Sequence, residues 1–153
     1  MEVGVVPITP PGQTETKLAD GNENVGKMQP PYRRYSVNYL VNPADLSFVQ
    51  KDDGKIYCDV DLIIAVYTPE GQMLNGVEGD VHIAAPLDEV KKAAAKGLVW
   101  HEEVSTPAKG EYFLRIGIRD EHRNKFGAVE VATSQVRNVV PAQATPGTPA
   151  PAK

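Results

Sequence analysis

The chain has 153 residues, of which 41% are hydrophobic and 24% charged. That is one domain's worth with a real core, and it argues against a membrane-embedded or a wholly disordered chain. The net charge of −4 argues against a nucleic-acid-binding surface, and no apolar run approaches the roughly 20 residues that span a bilayer as a helix.

In chain order, residues 1–31 are rich in Pro, Gly, Thr and Asn and show no sustained period, with Pro7, Pro10, Pro11, Pro30 and Pro31 marking an extended arm or linker. Within it, Val3 to Ile8 is apolar enough to act as a strand. The opening MEVGVVPITPPGQ lacks the basic and apolar segments of a secretory signal peptide. It predicts either a cytoplasmic chain or a mature piece of a longer exported one.

From about residue 32 the period becomes two. Tyr35, Val37, Tyr39 and Val41 alternate with Ser36, Asn38 and Leu40, Pro43 interrupts, and Leu46 and Phe48 restart a short strand. Lys51 to Lys55 is a turn in which Gly54 supplies the positive φ. The longest strand follows, with Ile56, Cys58, Val60, Leu62, Ile64 and Val66 on one face and Tyr57, Asp59 and Asp61 on the other. Thr68 to Gly71 is a turn, Gln72 to Asn75 a short strand or hairpin arm, and Val77, Val81 and Ile83 alternate with Glu78, Asp80 and His82.

The pattern breaks at 86–96, which predicts one short helix with Asp88 and Glu89 at its positive end, an apolar stripe of Leu87, Val90, Ala94 and Leu98, and Gly97 beyond its C-terminus. Strand character returns at Leu98 to Val104, at Tyr112 to Ile118 and at Phe126 to Val131, and Val136 to Val140 extends the last. Residues 141–153, PAQATPGTPAPAK, predict a disordered Pro/Ala/Thr tail. The expected fold is all-β: an Ig-like or fibronectin-III-like sandwich of about seven or eight strands over 32–140, with a helical crossover at about 86–96. Tyr112, just after the turn at Thr106 to Gly110, is placed as a tyrosine corner, its hydroxyl bonding back to the turn.

The blocks Asn42-Pro43-Ala44-Asp45-Leu46-Ser47-Phe48, Gly97-Leu98-Val99-Trp100-His101-Glu102-Glu103 and Gly110-Glu111-Tyr112-Phe113-Leu114-Arg115-Ile116-Gly117-Ile118-Arg119-Asp120 extend the comparison beyond pattern. Over about 33–133 the chain resembles the C-terminal β-sandwich region of the large VWFA-related (von Willebrand type A-related) proteins of acidobacteria. The resemblance implies an accessory module on an exported or cell-surface protein. It implies no metal role, because the Asp-x-Ser-x-Ser motif of the type A domain is absent from this chain.

The chemistry-bearing residues form no catalytic motif, so no enzyme is expected. Cys58, the single cysteine, precludes an intramolecular disulfide and reads as a core thiol. Trp100, the single tryptophan, reads as core. Asp59 and Asp61, two apart on one strand face, are candidate Ca²⁺ ligands, to which Asp52 and Asp53 in the adjoining turn could add. His82 and His101 each lie among carboxylates and could converge as zinc ligands, although no HxH or HxxxH spacing occurs; surface histidines are the plainer reading. Arg115, Arg119 and Arg123, with Lys125, form a basic stretch that suits an acidic partner, or else pairs across strands with Glu130 or Glu102. No cofactor is expected.

Three functions follow as expectations. The first is a non-catalytic protein-interaction or accessory module. The second is a structural subunit that self-assembles by donating Val3, Val5, Val6 and Ile8 as a strand to a neighbour, making a homo-oligomer through the N-terminal arm. The third is a Ca²⁺-dependent binding domain. The partner is a protein or a second copy, with no nucleic acid and no membrane insertion.

Overall fold

The longest alternating stretch of the sequence is the centre of the molecule. In the computed structural model, which describes residues 1–136, eight strands form two antiparallel sheets: β1 (Glu2–Pro7), β2 (Tyr32–Val41), β3 (Val49–Gln50), β4 (Ile56–Tyr67), β5 (Met73–Ala85), β6 (Leu98–Pro107), β7 (Phe113–Asp120) and β8 (Lys125–Ala132). One helix, α1 (Leu87–Ala95), joins β5 to β6. The three-stranded sheet has the order β1-β2-β6. In the five-stranded sheet β4 carries β5 along one edge, β7 and the two-residue β3 along the other, and β8 lies outside β7. This is the expected all-β sandwich.

The core follows from the period of two. Tyr35, Val37, Tyr39 and Val41 of β2 turn inward, as do Cys58, Val60, Leu62, Ile64 and Val66 of β4 and Leu114, Ile116 and Ile118 of β7. Each strand leaves its intervening residues to the outer face, as two packed sheets require. Trp100 points inward opposite Tyr39 but is only partly buried at the rim of the core. The tyrosine corner is present: the Tyr112 hydroxyl donates to the Lys109 carbonyl at 2.5 Å. Its ring lies on Gly110, whose φ of +102° and lack of a β-carbon make the approach possible.

Three local expectations change. Leu46 and Phe48 form no strand; Pro43–Asp45 is a turn of 3₁₀ helix capped by the Asn42 side chain, and pairing begins only at Val49. Met73–Ala85 is one continuous strand rather than two, because β5 follows β4 along its whole length. The helix forms and Gly97 takes the left-handed conformation, but α1 buries no residue, so the apolar stripe covers little. The tail expected at 141–153, and residues 137–140 of the expected extension, lie outside the described residues.

The segment 1–31, expected as an arm or linker, is built into the sandwich. β1 pairs with β2 from Glu2↔Leu40 to Pro7↔Tyr35, with Val3 buried and Val5 packed on the core. Beyond it, Thr9, Ala19 and Met28 are buried. The docking is polar. The Ala19 amide donates to Ser105 Oγ at 2.8 Å, and Asn22 bonds the Ser105 amide and the Glu103 carbonyl. The fully buried Asn75 donates to Asn22 Oδ1 and the Ser105 carbonyl while accepting from the Asn24 amide. A segment without an apolar period is thus held by satisfying its backbone on strand ends.

Candidate functional site

The outer face of the five-stranded sheet carries the charged residues that the sequence singles out. Register decides their partners. Asp59 of β4 lies opposite His82 of β5, and Asp61 lies between Asp80 of β5 and Arg119 of β7. The turn after β7 returns His122 to the same place. His82 Nδ1 is 2.6 Å from Asp59 Oδ1, and His122 Nε2 is 2.8 Å from Asp59 Oδ2. One carboxylate therefore joins two imidazoles.

The electrostatics follow from this geometry. The His82 hydrogen bond first, and His122 after it, hold the Asp59 carboxyl below the usual carboxylate range; Asp59 in turn raises the His82 imidazole. Asp61 is lowered chiefly by Arg119, which donates from Nε at 2.8 Å and also from its terminal nitrogen to the same oxygen. Glu121 is raised, because its carboxyl shares a hydrogen bond with Asp61.

One oxygen each from Asp61, Asp80 and Glu121 lies within 4.8 Å of the other two. These are the groups that could hold a cation. Yet the guanidinium of Arg119 already supplies the positive charge at Asp61, and Asp59 is engaged by two histidines. The two candidate Ca²⁺ ligands share a face as expected, but their carboxylates serve different partners.

The histidine pairing expected between His82 and His101 does not occur. His101 stands on the outer face of the other sheet, with Ser36, Asn38 and Glu103. His122 takes its place beside His82. Nothing in the sequence period shows this, since His122 lies in a turn. Arg119 pairs with Asp61 rather than with Glu130 or Glu102; Glu102 belongs to the opposite sheet and lies against Gly79. Cys58 is 0% exposed, and its thiol is pushed up to about 11 by burial first and by the nearby Asp120 and Asp59 charges second. It is a core thiol without the features of a nucleophile.

The second surface is the outer edge of β8. Lys125 to Glu130 are all exposed, including Phe126 at 53% and Val129 at 37%. Phe126 is not loose: its ring lies over Gly117 of β7, where a β-carbon would come within 2.5 Å of it. Val129 points to the core side, opposite Ile116, but beyond the cover of the other sheet. Arg115 stands opposite Glu130 in register, and Arg123 lies in the β7–β8 turn; both are exposed. Val3, Val5 and Val6 are engaged with β2, and Ile8, just past β1, is exposed. Donation to a neighbour would first require β1 to leave its own sheet.

No family model matches the chain, and no curated protein matches it. A solved structure, Bacteroides uniformis beta-glucuronidase 2 covalently bound to cyclophellitol-6-carboxylate aziridine, is similar over 86% of this chain with 10% identity and a TM-score of 0.41. The match spans 13% of that chain.

Proposed function

We propose that this chain is a non-catalytic protein-interaction module, carried on a bacterial surface or exported protein as the resemblance to the VWFA-related region implies. The observation that supports it is the β8 edge. A sheet edge leaves alternate backbone N–H and C=O groups without strand partners, and proteins commonly blunt such edges with charge, proline or a bulge. β8 has no proline, pairs with β7 in unbroken register, has no second strand partner among the described residues, and exposes Phe126 and Val129 beside that edge. Such an edge accepts an added strand, with main-chain bonds for affinity and side-chain contacts for selectivity.

The test is selection of a displayed peptide library on the immobilised full chain, with counter-selection on a Phe126→Lys/Val129→Lys variant. Both positions are exposed enough for the variant to fold, which a melting curve checks. Sequences that bind the parent and lose the variant support the reading. If nothing is enriched, or the enriched sequences bind both alike, the edge is not the binding surface.

A further inference from the structure

The geometry points to an extended, acidic and apolar segment of another protein as the occupant of the β8 edge, an inference that rests on the reading just given. Charge selects the partner. Among the described residues, Arg119 is held by Asp61 and Arg34 by Glu15 and Glu103, whereas Arg115, Arg123 and Lys125 enter no ion pair. These three exposed cations surround β8: Lys125 begins the strand, Arg123 lies in the turn before it, and Arg115 flanks it on β7. The chain as a whole carries −4, so this is a local basic rim on an acidic protein. Glu130 is the one carboxylate within β8.

The side chains beside the edge include apolar residues on both faces, with Glu130 on the outer one opposite Arg115. Phe126 and Ala128 stand on the outer face and Val129 and Val131 on the inner one. An incoming strand would set alternate side chains against each set. A partner that alternates apolar residues with carboxylates satisfies the ladder, the apolar contacts and the basic rim together.

The chain's own C-terminal residues are a poor fit by composition. Residues 137–153 contain no Asp or Glu, and the prolines at 141, 146, 149 and 151 lack the N–H that a ladder needs. A second copy of β8 brings Lys125 with Glu130, so it adds no net negative charge for the rim.

The probe is a capped peptide of about ten residues, the upper range of strand length, alternating valine or threonine with glutamate. One twin carries lysine for every glutamate, and another is N-methylated at alternate residues. Amide exchange is followed on the full chain. The glutamate peptide is expected to slow exchange over 125–132, with the lysine and N-methylated twins inactive. Raising ionic strength from about 0.05 M to about 0.5 M weakens binding about tenfold, as screening of exposed charges requires. The Arg115→Glu/Arg123→Glu variant reverses the preference between the glutamate and lysine peptides.

If the glutamate and lysine peptides protect β8 equally, the partner chemistry is wrong and the edge reading stands. If neither protects 125–132, or protection falls on another strand, both readings fall. Self-association without peptide that Val129→Lys abolishes makes a second copy the occupant and overturns the inference.

Discussion

Replacing Asn75 by alanine tests how the N-terminal segment is held. Asn75 is 0% exposed, and its amide makes four hydrogen bonds: to Asn22 Oδ1 at 2.7 Å, to the Ser105 carbonyl at 2.9 Å, from the Asn24 amide at 3.0 Å and from the Gly76 amide at 2.9 Å. Two of these are buried and two partly buried. At about 1 to 1.5 kcal/mol for each buried bond and about 0.5 to 1 for each of the others, the loss is about 3 to 5 kcal/mol. Urea denaturation reads it as a lower midpoint at unchanged slope. Asn75→Asp adds a sharper signature. Its carboxylate would face the Ser105 carbonyl and Asn22 Oδ1, two acceptors, so burial raises its pKa in the folded state. The folded state then holds the proton more tightly than the unfolded one, and the variant gains stability relative to the parent as pH falls. A loss under about 1 kcal/mol for Asn75→Ala, below the range for a single buried bond of this kind, would refute the argument. So would pH-independence of the aspartate variant.

Tyr112→Phe removes the hydroxyl that bonds Lys109 and leaves the ring on Gly110. It should cost about 0.5 to 1 kcal/mol in thermal or urea unfolding, the lower range because the bond is exposed. In a proton NMR titration His82 should lose its proton above the ordinary 6.5, since Asp59 raises it, and Asp59→Asn should return it towards that value. The sign for stability follows: the His82 contribution is complete below the ordinary histidine value and is lost as pH rises through the raised one. The Asp59 contribution is present above the ordinary carboxylate value of 3.8 and is lost as pH falls through its lowered one. Unchanged titration in Asp59→Asn would remove the bridge. Cys58, buried and with its thiol near 11, should react with a thiol reagent only as fast as the chain opens; rapid reaction in the absence of denaturant would contradict its placement.

The sheets were legible because a buried strand face writes itself at a period of two, as Ile56 to Val66 does without interruption. Partners across strands were less so. Asp59 and Asp61 could be placed on one face, but whether that face meets His82, Asp80 or Arg119 depends on register, which spacing within one strand does not encode. His122 was invisible for a related reason, since a turn has no period. The role of residues 8–31 was hidden by chemistry rather than distance: Asn22 and Asn24 signal loop in a sequence, and here the same side chains tie the segment to Asn75 and to β6. Trp100, read as core, lies at the rim because the sandwich closes less completely there.

The ties of that first segment also set an order of events during synthesis. Ala19 needs Ser105, and Asn22 needs Glu103, so this segment, made before β2, completes its docking only after β6 has emerged from the ribosome. Through that interval the apolar side of β1 has no finished sheet to rest on. Five strands, β2 to β6, must be translated before residues 8–31 acquire a fixed place, and exposed strand edges during such a wait are where multistrand proteins are open to wrong pairing.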